Sequence, residues 1–163
     1  MRIVSVLTIL SVFALSSSAQ VTTSGLSNAK GLNQGVQGLG FAISAATGLG
    51  VSYRYHLPSK TSLQGVFGII KTSDKLALSL GGEYQYDLVR GVDTRFFFIG
   101  GIGYYYNGSG KNDIIGPSRI GVGIGGEFKI HEAFHISVGA LYTFYSDSQV
   151  LPLPQISAHY YFF

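Results

Sequence analysis

The stretch RIGVGIGGEFKIHEAFHISV, residues 119–138, decides how the rest of the chain is read. It contains two patterns associated with catalysis. Gly121, Gly123 and Gly126 satisfy G-x-G-x-x-G, the dinucleotide-binding fingerprint, and His131, Glu132 and His135 satisfy H-E-x-x-H, the zinc-peptidase fingerprint. Each needs a helix: the first to set pyrophosphate at its N-terminus, the second to bring positions i and i+4 to one face. The stretch alternates with period 2 instead. Ile120, Val122, Ile124, Phe128 and Ile130 share one face, with Gly126 the gap in it. Arg119, Gly121, Gly123, Gly125, Glu127 and Lys129 share the other. Alternation stops at Ile130 and resumes at His135, so HEAF (131–134) is predicted to be a hairpin turn. Neither fingerprint has its helix, and no cofactor or metal site is expected.

The same split recurs outward in both directions. Leu76, Leu78, Leu80, Tyr84, Tyr86 and Leu88 oppose Ala77, Ser79, Gly81, Glu83, Gln85 and Asp87, and Leu49–Leu57 and His135–Tyr145 behave alike. Thr61–Lys71 and Thr94–Tyr106 are noisier but keep an apolar face. With 39–45 and 156–163 this gives eight predicted strands. LPSK (57–60), VRGVD (89–93) and HEAF are short connections. NGSGKNDIIGPS (107–118) and SDSQVLPLPQ (146–155) are read as long loops, while residues 46–48 and KTSDK (71–75) are short where long ones are expected.

Composition narrows the class. Only 12% of residues are charged, about half the usual fraction, while Gly (23 residues) and aromatics (13%) are high and mean hydropathy is +0.30. After the first residues no apolar run is long enough for a membrane helix. There is no Cys, so disulfides and thiolate sites are excluded. The net charge of +3 comes with no basic block, so no nucleic acid partner is expected. The opening MRIVSVLTILSVFALSSSAQ reads as a signal peptide over 1–19, with small residues at Ser17 and Ala19. Residues 20–37 are polar, Gly-rich and aperiodic, and are read as a flexible tail; 38–163 are read as the barrel.

Two barrels fit eight alternating strands. A soluble calyx points its apolar face inward; a membrane barrel points it at lipid and fills the lumen with small and polar groups. Aromatic placement favours the second. Tyr53, Tyr55, Tyr84, Tyr86, Phe96, Phe128, Tyr160 and Phe162 fall toward one end of the apolar faces, and Tyr104, Tyr106, Tyr142 and Phe144 toward the other, as two interfacial girdles require. The predicted fold is all-β: an eight-stranded antiparallel up-and-down transmembrane β-barrel.

The C-terminal HYYFF, with Tyr161 and Phe163 two apart, resembles the aromatic signal by which outer-membrane barrels are recognised for assembly. Together with the signal peptide and strand pattern, the chain resembles the small eight-stranded, porin-like outer-membrane barrels of Gram-negative bacteria. It departs from them at Ser157 and His159, where apolar residues are usual. The resemblance implies export to the outer membrane, the barrel assembly machinery as a partner, outer-membrane lipid and lipopolysaccharide as surroundings, and a monomer.

Seven charges fall on the lumen face: Arg54, Glu83, Asp87, Arg95, Arg119, Glu127 and Lys129. Buried charges must pair, so they are predicted to interlock as an ionic plug. The function expected is a non-enzymatic structural or surface-interaction role. Its contact sites are Lys111, Asp113, Ile114, Ile115, Leu151 and Leu153 in the two long loops, facing a loop-binding partner or lipopolysaccharide. Two alternatives remain open: a narrow pore, and a lipid A acyl-chain enzyme using His135 and Ser137, the one close His/Ser pair.

Overall fold

Successive side chains of a strand point to opposite faces, so a chain with one apolar and one polar row per strand must separate them by curling into a tube or pairing two sheets. This chain forms a tube. In the computed structural model, which describes residues 35–162, the strands are β1 (Val36–Ser44), β2 (Gly48–His56), β3 (Thr61–Lys71), β4 (Leu76–Arg90), β5 (Thr94–Gly108), β6 (Ser118–His131), β7 (Phe134–Tyr145) and β8 (Val150–Phe162). All neighbours are antiparallel and β8 returns to β1, closing the barrel. Residues 1–34 and Phe163 lie outside the described residues, and with them the signal peptide, most of the tail and half of the terminal aromatic pair. One end of the barrel, the terminal end, carries the start of β1, the finish of β8 and the tight β2–β3, β4–β5 and β6–β7 turns. The loop end carries the other four connections.

The faces are inverted relative to a soluble protein. Phe41, Val51, Phe67, Leu80, Ile102, Ile120, Ile124, Val138 and Ile156 are exposed around the wall, whereas Arg54, Glu83, Asp87, Arg95, Glu127 and His159 are buried inside. A soluble monomer rarely exposes an apolar patch beyond a few hundred Å²; here the patch is the whole circumference. This excludes the calyx and defines a membrane-spanning barrel.

HEAF forms the tight β6–β7 hairpin, with His131 opposite Phe134 and His135 opposite Lys129. The glycines of the nucleotide-like pattern lie within β6, paired on both sides. A bulge in β4 between Asp87 and Val89 extends that strand past its predicted end at Leu88. It turns both Leu88 and Val89 outward, keeping an aliphatic side chain out of the polar lumen.

Two predicted boundaries are corrected. β1 begins at Val36, inside the expected tail. β8 begins at Val150, so the expected loop 146–155 is only the turn Ser146–Gln149, and Leu151 and Leu153 are strand residues. Pro152 and Pro154 made that segment look like a loop. They are tolerated because of the edge they face. Tyr161 N donates to Ala133 O on the β7 side (2.7 Å), so odd residues of β8 aim their amides at β7 and even ones aim at β1. The last β1 pair is Ser44 with Gln155. Both prolines therefore face an edge with no strand beside it, where a missing N–H costs no ladder bond.

Candidate functional site in the lumen

The terminal half of the lumen is a hydrogen-bonded ionic network to which β2 through β8 contribute side chains. Arg54, from β2, is fully buried and spans the tube. Its guanidinium pairs with Glu127 of β6 and donates to Gln64 Oε1 (2.8 Å), Ser137 Oγ (2.9 Å), Ser157 Oγ (2.9 Å) and the Tyr161 hydroxyl (3.2 Å). Arg95 donates to Asp87 (2.8 Å), Ser62 Oγ (2.9 Å), Gln85 Oε1 (2.8 Å) and Glu127 (3.1 Å). Glu127 is the hub: Arg54, Arg95, Ser137 and Tyr161 converge on Oε2, and His135 meets Oε1 at 2.9 Å. Asp87 is completed by Arg90, whose Nε donates at 2.8 Å. β1 contributes space: a side chain at Gly38 would sit 2.6 Å from the Tyr161 ring.

In the loop half, backbone enters the lumen. The β1–β2 hairpin is shorter than its neighbours, and its tip, Ala45–Thr47, bends into the tube. Thr47 is fully buried and its hydroxyl donates to Glu83 Oε1 (2.6 Å). Ser44 Oγ accepts from the Ala46 and Thr47 amides, and Ser79 Oγ bonds both Leu49 N (3.1 Å) and Leu49 O (2.9 Å), replacing the strand partner that Leu49 lacks on the β3 side. The turn back outward uses Gly48 (φ +130°) and Gly50 (φ +154°), conformations L side chains rarely adopt. Opposite the tip the wall is stripped of side chains. A Cβ at Gly81 would fall 1.9 Å from Thr47 O, at Gly103 2.2 Å from Ala46 O, and at Gly121 2.6 Å from the Ala46 Cβ. Beside it lies a small apolar cluster of Ala46, Phe97, Ile99 and Leu141.

The seven predicted lumen charges thus separate into groups. Arg54, Asp87, Arg95 and Glu127 form the connected network. Glu83 points inward but meets no guanidinium; it accepts from Thr47 and from Gln85 Nε2 (3.1 Å). Arg119 stands apart near the loop end, stacked between Tyr105 (3.9 Å) and Tyr145 (4.6 Å) and donating to Ala45 O (2.9 Å), so it clamps the tip. Lys129 sits at the terminal rim, 3.6 Å from Asp93. Sequence reasoning missed Arg90, Gln64, Gln85 and the hairpin tip. Gln85 shares the parity of Glu83 and Asp87 and was legible on that ground; Arg90 does not, because the bulge after Asp87 shifts the row, and neither the bulge nor the inward bend of the tip shows in the alternation.

The remaining predicted positions are also located. Tyr161 points inward, buried against Arg54 and Glu127, while Tyr160 and Phe162 carry the outward aromatic surface of β8. This parity accounts for the polar Ser157 and His159, which share the inner face. His135 and Ser137 both bond Glu127 inside the barrel and face no lipid. Among the described residues no three His, Asp or Glu side chains cluster as metal ligands. In the loop Ser109–Pro117, Asp113 pairs with Lys75 (3.0 Å) on the surface, Lys111 is exposed, Ile114 is half-buried and Ile115 is 75% exposed.

That loop is held by a residue the sequence did not single out. Asn112 Oδ1 accepts from Asn107 N (3.0 Å) and Ile114 N (3.2 Å), and its Nδ2 donates to Tyr105 O (2.8 Å). Asn112→Ala is expected to make the loop the first site of limited proteolysis while moving the unfolding midpoint of the barrel little, since the lost bonds are local.

The wall and lumen together define a closed, membrane-spanning eight-stranded barrel with a polar interior. No protein-family model matches the chain, and no curated protein matches it. Among solved structures it is similar to the outer membrane protein Ail of Yersinia pestis in a phospholipid bilayer nanodisc, with TM-score 0.44 and 16% identity over 80% of this chain and 99% of that one.

Proposed function

We propose that this chain is a non-enzymatic outer-membrane barrel whose lumen is closed, acting as a structural element or through contacts made at its loop end. The observation that carries this reading is the span of Arg54: one buried guanidinium bonded to side chains of β3, β6, β7 and β8 occupies the cross-section where a pore would run. Three guanidinium groups, Arg54, Arg90 and Arg95, meet the carboxylates of Asp87 and Glu127, with Glu83 close by. The charges compensate one another internally and are committed to bonds, which is unlike the free charged ring that selects ions in a channel. The inward orientation of His135 and Ser137 speaks against lipid A chemistry, because a lipid-modifying pair must reach the lipid. Contacts outside the membrane then fall to Lys111 and Ile115 in the exposed loop, with lipopolysaccharide or a protein as the partner. Assembly by the barrel machinery through the C-terminal aromatics belongs to the same proposal.

The test is planar-bilayer recording on the full chain refolded in detergent. The expected result is no resolvable ion current for the wild type, and discrete open-channel steps would favour the pore.

A further inference from the structure

The short β1–β2 hairpin leaves a gap in the wall. Beyond Phe67, β3 has no partner on the β2 side, and above Gln155, β8 has none on the β1 side. Gly68 still lies against the Leu49 carbonyl, so two strand positions are vacant at the loop end between Ile69–Lys71 of β3 and Val150–Pro154 of β8. Three inter-strand spacings of ~4.8 Å separate these edges by roughly 14 Å. The inner-face residues flanking the gap are apolar and poorly covered: Ile70 is 57% exposed, Leu151 43%, and Leu153 is half-buried. All three have the parity of buried lumen residues, such as Val66 on β3 and Ser157 on β8. The inserted tip, with Ala46 and Thr47, forms the floor. The outer rim is continuous with the lipid-facing wall through Ile43, Phe67, Ile69 and Ile156.

The geometry points to this notch as a binding recess for an acyl chain of a membrane lipid, entering sideways from the leaflet at the loop end and lying along Ile70, Leu151 and Leu153. The proposal rests on the membrane-spanning reading, which supplies both the lipid and the continuity of the apolar rim. Pro152 and Pro154 argue for this occupant. A free strand edge in hydrocarbon leaves donors unsatisfied. The two prolines remove the N–H at two successive edge-facing positions of β8, so this edge tolerates an apolar neighbour and discourages an added peptide strand, which would look for those donors. They also prevent β1 from closing the gap by extending along β8.

The chain contains no Trp, so one introduced Trp reports its own surroundings. Leu153→Trp, Ile70→Trp, Ile156→Trp on the outer wall and Phe97→Trp in the enclosed lumen are each made in the full chain. They are refolded into phosphatidylcholine vesicles with and without mid-chain brominated acyl groups, and folding is checked by the gel shift between boiled and unboiled samples. The expected result is that Trp fluorescence at 153 and 70 is lost to brominated lipid as extensively as at 156, while 97 is spared. If either rim variant fails to fold, the one on the opposite edge decides. Quenching at 156 with both rim positions spared like 97 overturns the recess and leaves the membrane barrel intact. Rim positions quenched only by aqueous acrylamide overturn it too, since the mouth is then water-filled. An unquenched 156 removes the membrane-spanning reading and the recess with it.

Discussion

Glu127→Ala is expected to destabilise the barrel by about 3–5 kcal/mol, because removing one partner of a buried ion pair leaves the other charge uncompensated. Arg54 is fully buried in the terminal half of the lumen, and its remaining partners, Gln64, Ser137, Ser157 and Tyr161, are neutral. Arg95 keeps Asp87 and suffers less. The measurement is the urea midpoint of the refolded protein, followed by circular dichroism and by the boiled-against-unboiled gel shift. Arg54→Met combined with Glu127→Leu should recover much of the loss, since an apolar pair of similar volume replaces a buried ion pair at little net cost. Lys75→Ala, which breaks the exposed pair to Asp113, should change stability by no more than about 1 kcal/mol. Equal effects at the two pairs would mean that the lumen is hydrated and the network loosely held.

The second large effect is steric. Gly81→Val and Gly103→Val each push side-chain atoms into the backbone of the hairpin tip, where Cβ alone would lie 1.9 Å from Thr47 O and 2.2 Å from Ala46 O. Backbone cannot rotate away as a side chain can, so the tip must leave the lumen or the wall must distort. Overpacking of this kind costs about 1–3 kcal/mol or more. Gly82 and Gly100 are the controls. They lie on the same two strands but face outward; a Cβ at Gly82 meets nothing nearer than 3.7 Å and one at Gly100 nothing within 4 Å. Their Ala variants should refold like the wild type, and the two inward Val variants should show a lower refolded fraction and a lower midpoint.

Much of this architecture was legible in the sequence because a membrane barrel writes its two faces as two residue rows. Ile120 to Ile130 against Arg119 to Lys129 was enough to assign strand, facing and hairpin, and so to retire both fingerprints. What misled were signals that depend on neighbours. Pro152 and Pro154 indicate a loop in any local reading; that they face a vacant edge depends on where β1 stops. Arg119 shares the parity of the network, yet its height on β6 brings it to Tyr105 and Tyr145, and parity carries no height. Gly81 and Gly121 fall on the inner rows by the same alternation, which leaves space beside them. That the space is taken by the β1–β2 tip follows from the short hairpin and the positive φ of Gly48 and Gly50, neither of which alternation reveals.

In the proposed barrel the hairpin tip and the network together occupy the lumen, and Thr47 is the residue that reports on it. The chain has no Cys, so Thr47→Cys carries a single thiol. In the folded barrel, reconstituted in detergent and challenged with a membrane-impermeant maleimide, Thr47→Cys should stay unmodified until the protein is unfolded, while Lys111→Cys in the exposed loop reacts at once. Modification of Thr47→Cys in the folded barrel as fast as Lys111→Cys would put the tip in open water and leave the lumen unfilled above Glu83, and the closed barrel would be ruled out.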